Sequence, residues 1–346
     1  MLKKKTALIF GVTGQDGAYL SKFLLKKGYV IHGVKRRSSQ PNTYRVDDIY
    51  RDPLIKKSNF FLHYGDVTDS ISVFSIINKV KPSEIYNLAA QSHVAVSFDM
   101  PEYTTNTDAS GTLRILESIN RVDKRIKFYQ AGSSEMFGKV IESPQNEKTP
   151  FYPRSPYGVA KVYSHWITIN YRESYNLFAS NGILFNHESP LRGETFVTKK
   201  VVKALCNIKL KKQKKLFFFN LNAKRDWGHA EDYVEAMWKI LQYKKPDDFV
   251  ICTGKQYSIR EFVNMVAKAL KMKIVWRGKG IYEKAFDENK NCIIECSKKY
   301  FRPAEVDTLR GNASKAKKLL KWKPKHNIQS LIKDMISYEL EIHKND

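Results

Sequence analysis

The sequence predicts an α/β protein, a doubly wound parallel sheet joined to a smaller, mostly helical C-terminal region. Three observations predict it. Short apolar runs alternate with helix-period segments through the first half of the 346 residues. A cluster of glycines separates the first of those runs from the first helix. After about Ser189 the alternation weakens, and short helices mix with loops and isolated strands. Strand–helix alternation is the pattern of a parallel sheet covered on both faces, because each crossover helix must lie on one face or the other.

TALIFG (6–11) reads as the first strand, and GAYLSKFLLKKG (17–28) follows it with helical period. VIHGV (30–34) and NFFLHYGD (59–66) are the next strands, with a helix around ISVFSIINKV (71–80). EIYNLAA (84–90) and IKFYQAG (126–132) are two more, with the helix SGTLRILESIN (110–120) between them. A long helix starts near Ser155, with Pro156 at its first turn, where proline's missing N–H costs nothing. FASNGILFN (178–186) is a further strand, and DFVICTG (248–254) an isolated one. The chain thus divides into a first unit at 1–188, a segment near 225–255 interleaved with it, and a second region at 189–346.

The chain is 42% hydrophobic and 27% charged, which places it among folded globular proteins. It contains no apolar run of about 18 residues, so no membrane-spanning helix is expected. The basic N-terminus and its short apolar run end in turn glycines rather than a small-residue cleavage site, and read as a first strand, not a signal peptide. Cys206, Cys252, Cys292 and Cys296 show no metal-ligand spacing and no dense disulfide pattern, so no metal and a reducing, cytoplasmic setting are expected. The net charge of +25 is spread along the chain, densest at KLKKQKK (209–215), without a zinc-finger or RNA-binding signature. That distribution points to background charge plus a local anion site, with no nucleic-acid or membrane partner.

GVTGQDG (11–17) places Gly11, Gly14 and Gly17 between the first strand and the first helix. Glycine permits the tight turn and close backbone approach, and a helix N-terminus attracts a pyrophosphate. The GxxGxxG spacing is a weak signal alone, but at a first strand it reads as a Rossmann-like dinucleotide turn. An NAD-preferring site would place an acid just beyond the second strand; here KRRSS (35–39) supplies Arg36, Arg37 and Ser38. A guanidinium pair suits a 2′-phosphate, so NADP is expected. Asp66 and the Val67 backbone, after the third strand, are candidates for the adenine edge. NLAAQSH (87–93), after the fourth and holding Leu88, Ala89 and Ala90, has small residues that let the backbone approach a cofactor.

SPYGVAK (155–161) sets Tyr157 and Lys161 four apart, on one face of a helix. A phenol ionises at about pH 10, too high for a base at neutrality, and a neighbouring ammonium is expected to lower that value. AGSSEMFG (131–138) delivers Ser133 and Glu135 from the end of the fifth strand. A carboxylate arriving there is costly unless it is hydrogen-bonded, solvated or used.

Tyr-x-x-x-Lys with an upstream serine on a GxxGxxG turn resembles the extended short-chain dehydrogenase/reductases. GVTGQDGAYL, KRRSS, NLAAQSHV, SSEMFG, SPYGVAK, LFNHESPLRGETFVTKK, RDWGHAEDYVEAMW and YFRPAEVDTLRGNASKAKKLLKWKP resemble the GDP-mannose 4,6-dehydratase branch, almost end to end. The resemblance implies a catalytic set of Ser133, Glu135, Tyr157 and Lys161. It implies cofactor contacts from Gly11, Thr13, Gly14, Gln15, Asp16 and Gly17, from Arg36, Arg37 and Ser38, and from Asp66, Val67, Leu88, Ala89, Ala90 and Ser92. Tyr157, Lys161, Asn186, His187 and Arg192 complete that set. A GDP-sugar is implied on Ser92, Glu135, Asn186, Val197, Lys200, Arg225, Arg302 and Glu305, with 1–188 the NADP unit and 189–346 mainly the sugar-nucleotide region.

The implied reaction moves hydride from sugar C4 to a tightly held cofactor while Tyr157 takes the C4 hydroxyl proton. The 4-ketone acidifies C5–H, Glu135 removes that proton and, with Ser133, helps protonate the leaving C6 hydroxyl, and hydride returns to C6. GDP-mannose would give GDP-4-keto-6-deoxymannose; GDP-D-glycero-D-manno-heptose would give the 6-deoxy-4-keto-heptose. A nucleotide-sugar epimerase is the alternative class, and it needs no base for C5, so Glu135 separates the two. Two positions depart from the branch: Gly132-Ser133 stands for its usual Ser-Thr, and Glu231 for the arginine of its GHARDYV stretch. Members are homodimers or tetramers, and RRSSQPNTYR (36–45) resembles the segment that reaches a neighbouring subunit's cofactor, so a tetramer is expected.

Overall fold

The structure is a computed structural model and describes residues 4–51, 59–218, 220–297 and 306–345. β1 (Thr6–Phe10), β2 (Val30–Lys35), β3 (Phe60–Tyr64), β4 (Glu84–Asn87), β5 (Lys127–Ala131), β6 (Ala179–Leu184) and β7 (Phe249–Ile251) form one sheet. Its order is β7-β6-β5-β4-β1-β2-β3, and every neighbouring pair is parallel.

Alternation along β1 sorts the core into two layers. Ala7 and Ile9 pack with Ala18, Leu20 and Leu24 of α1 (Gln15–Lys26) on one face. Leu8 and Phe10 pack on the other with Val73, Ile76 and Ile77 of α2 (Ser70–Val80) and Ile115, Leu116 and Ile119 of α3 (Gly111–Val122). Asp69 caps α2 by accepting the Ile71 and Ser72 N–H groups at 2.9 and 3.2 Å. The long helix is α4 (Pro156–Tyr175). It begins where the sequence places it, with Pro156 in its first turn and the Ser155 hydroxyl accepting the Gly158 N–H at 3.0 Å.

The second region holds α5 (Val197–Lys209), α6 (Ala230–Gln242), α7 (Ile259–Ala269) and α8 (Ile328–Asn345). Val201, Val202 and Leu205 of α5 pack with Phe262, Val263 and Val266 of α7 and Leu331, Ile332 and Met335 of α8. Among these helices runs a four-stranded sheet in the order Val275–Arg277, Lys284–Phe286, Cys292–Cys296, Leu216–Phe218. α6 belongs elsewhere: its Tyr233, Met237 and Ile240 pack into the layer beneath α1.

The sequence reads DFVICTG as an isolated strand, whereas its Phe249–Ile251 is β7, the parallel edge neighbour of β6. Its three consecutive buried apolar residues mark it as covered on both faces, but periodicity cannot say which sheet it joins. An ion pair fixes the answer. The Asp248 carboxylate accepts from both guanidinium nitrogens of Arg172 on α4, at 3.0 and 2.9 Å, and from the Asn181 side chain on β6 at 2.8 Å. Burial alone would raise the Asp248 carboxyl; Arg172 holds it below its ordinary range.

Both side chains of that pair are 15% exposed, so removing one leaves the other largely desolvated. Asp248→Ala is therefore expected to cost about 3 kcal/mol, in the range for breaking a buried pair, against under 1 kcal/mol for an exposed one. Urea unfolding of the two chains measures it, and an unchanged midpoint would mean that Asp248 does not secure β7.

Candidate active site

β1 and β4 are neighbours in the sheet, and the chain leaves their C-terminal ends in opposite directions. The crevice that opens at such a switch point is where doubly wound sheets bind ligands. Here it widens into a cavity of about 1210 Å³, roofed by Phe218, Ala223 and Ile259 of the second region. That exceeds the roughly 300–1,000 Å³ of a typical small-molecule site and leaves room for a dinucleotide beside a second ligand.

The glycine turn meets the demands of a dinucleotide. Gly11 has φ +79°, and a Cβ there would stand 2.8 Å from the backbone of Leu88 and Ala89. A Cβ on Gly17 would stand 2.4 Å from the Gly11 carbonyl and 2.6 Å from Val12 Cα. Both clashes are with backbone, which cannot swing aside. The turn therefore aims the N-terminus of α1 into the cavity, where Gly14 is the capping residue. An anionic group would find unsatisfied N–H donors there.

Asp16 and His187 face each other beside this turn. His187 Nε2 lies 2.7 Å from the Asp16 carboxylate, and its Nδ1 lies 2.8 Å from the Phe185 carbonyl. Both partners are pure acceptors, so both ring nitrogens donate and the ring is an imidazolium. Burial would lower the His187 value, but the Asp16 charge raises it above the ordinary one; burial would raise Asp16, but His187 draws it down. Gln15 completes the clasp, donating to the His187 carbonyl at 3.2 Å and accepting from the Ser189 hydroxyl at 2.7 Å.

Cations rim the far end of the cavity, but not the pair read from KRRSS. Arg36 lines it, with its guanidinium on the Tyr103 hydroxyl. Arg37 and Ser38 do not: the Arg37 guanidinium donates to the Ser38 carbonyl at 2.9 Å, the Ser38 hydroxyl accepts the Gln40 N–H at 3.3 Å, and both residues are exposed. Lys35 and Arg45 line the cavity in their place. Arg45 donates to the Leu191 carbonyl at 2.8 Å and the Thr13 carbonyl at 3.3 Å. The 36–45 loop, read for a neighbouring subunit, thus lies against this chain's own cavity through Arg36, Pro41, Asn42, Tyr44 and Arg45. Asp66 and Val67 line the same end, Asp66 also accepting the Thr68 N–H at 2.9 Å. Leu88, Ala89, Ala90 and Ser92 form the floor.

At the other end β5 leads into a short 3-10 turn, Ser134–Met136, and the Ser133 hydroxyl caps it by accepting the Glu135 N–H at 3.2 Å. The Glu135 carboxylate enters the cavity, and no hydrogen bond or ion pair to it is found among the described residues. It is neither a cap nor half of a structural pair. Tyr157 and Lys161 lie on one face of α4, as the spacing requires, and line the same wall. Lys161 Nζ donates to the Ala131 carbonyl at 3.2 Å and lies 5.7 Å from the Tyr157 ring centroid.

The expected lowering of the Tyr157 hydroxyl is not what the site produces. Burial pushes it above the ordinary phenol value and the Asp108 carboxylate adds to the rise; the hydrogen bond from Ser133 and the charge of Arg192 only partly offset these. Sequence spacing shows the ammonium but not the buried anion beside it. Asp108 escapes notice because it lies in a π-helical stretch, Thr105–Ser110, just ahead of α3.

Between these ends stand the remaining candidates. Asn186 Oδ1 is buried without a hydrogen-bond partner among the described residues, which fits a polar ligand group. Val197, Lys200 and Arg225 line the roof. Lys200 Nζ donates to the Phe217 carbonyl at 2.7 Å, and Arg225 to the Val306 carbonyl at 2.7 Å. Arg192 stacks on the Phe196 ring at 3.8 Å and pairs with Glu188 at 3.1 Å. Arg302 and Glu305 lie outside the described residues. The sequence reading did not name Lys35, Arg45, His93, Phe196 or Thr107 as cavity residues, although all but Thr107 stand inside segments it quoted.

Glu231, one of the two departures, lies in the first turn of α6 and does not line the cavity. With His229 and His326 it brings three potential metal ligands within 4.8 Å of one another. However, His229 Nδ1 accepts the Glu231 N–H, so Nε2 keeps its proton and donates to Asp334 at 3.0 Å. That ring has no lone pair left for a metal.

The Asp16–His187 clasp makes stability depend on pH. Because His187 is raised in the fold, its contribution is complete below about pH 6.5 and fades as pH rises through its folded value. Asp16 is lowered, so its share is present above the ordinary carboxylate range and fades as pH falls through its folded value. The difference in Tm between the native chain and His187→Gln should therefore shrink from pH 6 to 9. A constant difference would mean that the ring is not charged.

Comparison with known proteins assigns this geometry to a family. Residues 8–335 match the family model described as GDP-mannose 4,6 dehydratase. The chain is 55% identical to the GDP-mannose 4,6-dehydratase of Vibrio cholerae serotype O1 over 353 residues, covering 98% of this chain and 95% of that one. It is 52% identical to GDP-mannose 4,6 dehydratase 2 of Caenorhabditis elegans over 348 residues, covering 99% and 91%. Among solved structures, the dTDP-glucose 4,6-dehydratase DesIV of Streptomyces venezuelae superposes with TM-score 0.82 at 17% identity, covering 98% of each chain, which is a likeness of fold. On the sequence matches, this chain belongs to the GDP-mannose 4,6-dehydratase family.

Proposed function

We propose that the chain converts GDP-mannose to GDP-4-keto-6-deoxymannose, with NADP retained through each cycle. The observation that carries this reading is the Glu135 carboxylate, which faces the cavity beside Ser133 and Tyr157 with no hydrogen bond or ion pair among the described residues. A redox-neutral epimerase needs the tyrosine and the lysine but no second base. NADP, when bound, supplies the acceptor for the C4 hydride and its donor to C6. The chain's own residues do the rest. Tyr157 takes the C4 hydroxyl proton, and Lys161 and Arg192 are the cations in reach of the phenolate. Glu135 takes the C5 proton from the 4-keto sugar. Glu135 and Ser133 then return that proton to the departing C6 hydroxyl, and the proton held on Tyr157 goes to C5 as hydride reaches C6, so that one water leaves and no net oxidation occurs.

Arg36, Lys35 and the absence of an acid directly after β2 support NADP over NAD. The diphosphate of a GDP-sugar suits Lys200 and Arg225, and Asn186 Oδ1 offers an unused acceptor. In this reading 1–188 with 225–255 carries the cofactor, and 189–346 mainly the GDP-sugar. The four cysteines are free thiols, consistent with the cytoplasm, and no helix among the described residues is long and apolar enough to cross a membrane.

The test is turnover of GDP-mannose and of GDP-D-glycero-D-manno-heptose by the purified chain, with NADP or NAD, read as 4-keto product. Glu135→Gln is expected to bind NADP as the native chain does and to lose at least 10²-fold in dehydration, the usual scale for a general base. Full activity in that variant would overturn the assignment, and turnover of the heptose alone would move the substrate to the larger sugar.

Val159, Tyr163 and Trp166 are 56%, 43% and 57% exposed at spacings of four and three on α4, one apolar stripe along the outside of the catalytic helix. We infer that a second copy of the chain covers it, in a dimer or tetramer. Sedimentation at micromolar concentration should give two or four chains per particle, and a monomer would refute the inference.

A further inference from the structure

Lys161 is 3% exposed, and a buried ammonium is costly unless it is paired. The anion nearest to it is Asp108, itself 1% exposed, with Oδ2 3.7 Å from Lys161 Nζ. That oxygen makes no hydrogen bond among the described residues. The rest of the residue is held firmly. Asp108 Oδ1 accepts the Gln91 N–H at 2.7 Å. Its main-chain carbonyl accepts from the Ser164 hydroxyl at 2.6 Å, one turn along α4 from Lys161, and from Thr112 at 2.9 Å. Asp108 lies buried within the π-helical turn Thr105–Ser110, a local geometry frequent at functional sites.

We propose that Asp108 is a positioning residue for the dehydration: its carboxylate, fixed by the Gln91 N–H on a backbone that Ser164 and Thr112 anchor, holds the Lys161 ammonium charged and in place behind Tyr157. Asp108 touches neither Tyr157 nor the cavity and acts through the lysine. Its charge also sets the proton balance of the wall. Burial, partly offset by Lys161, lifts the Asp108 carboxyl to about 6, and burial lowers Lys161 while Asp108 partly offsets that fall. Tyr157 is raised by burial, by Asp108 and by Glu135, and lowered by Ser133 and Arg192. Among the described residues, those are the charged and titratable groups that act on the three side chains.

The inference rests on the dehydratase reading, and its test separates the two. Asp108→Asn keeps the acceptor for Gln91 and removes only the charge. Lys161 then loses the anion that favours its ammonium, and Tyr157 loses one that opposes its phenolate. Both limbs of the pH–rate profile should move toward acid by about one unit, the scale for a close charge. Asp108→Glu should restore the native positions at reduced rate. A merely structural role would lower activity or Tm without moving either limb, and that result, or an unmoved profile in a stably folded Asp108→Asn chain, overturns the proposal. Independently of turnover, the Lys161 Nζ signal in a ¹⁵N-lysine spectrum, identified by its loss in Lys161→Met, should titrate about one unit lower in Asp108→Asn. No GDP-sugar turnover by the native chain would sink the dehydratase reading, and the nitrogen titration would still decide Asp108.

Discussion

Backbone meets backbone at the centre of this molecule, and that contact sets everything around it. Gly11 lies against the Leu88–Ala89 peptide, and Gly17 against Gly11 and Val12, at distances where no Cβ fits. The contact brings the end of β1, the start of α1 and the end of β4 to one place. It thereby opens the cavity at the reversal of strand order and points the N-terminus of α1 into it. Larger residues here would force α1 away from the sheet, and with it the Asp16–His187 clasp that ties α1 to the chain beyond β6.

Two buried ion pairs stand on opposite sides of that cavity, and they differ in kind. At the glycine turn, geometry makes His187 a cation and Asp16 an anion, each satisfied by further hydrogen bonds. Along the wall formed by α4, Asp108 and Lys161 are more deeply buried but stand 3.7 Å apart, with one carboxylate oxygen lacking a hydrogen bond among the described residues. The first arrangement secures structure. The second leaves charge poised close to a tyrosine that burial makes reluctant to ionise. Glu135, by contrast, brings its carboxylate into the cavity with no structural partner among the described residues.

Residue chemistry in the sequence made much of the site legible. Glycine spacing located the dinucleotide turn because a conformational requirement leaves a residue-type signature. Tyr157 and Lys161 were found because helical period links positions four apart, and Ser133 and Glu135 because they follow a readable strand. Arg37 and Ser38 are exposed and do not line the cavity, because adjacency in sequence does not decide which side chains turn toward it. Asp108 and Arg45 were missed because their partners lie far along the chain, at Lys161, Leu191 and Thr13.

The amino-acid sequence by itself determined the alternation of strands and helices, the parallel sheet, the capped start of α4 and the family of reactions. Each of these follows from local period, turn chemistry or a run of residue types that needs no distant partner. Tertiary structure alone decided that Phe249–Ile251 is the seventh strand, that Arg36 rather than Arg37 reaches the cavity, and that Tyr157 is raised rather than lowered. Those outcomes depend on burial and on charges brought together across the fold, and neither quantity exists until the chain has packed.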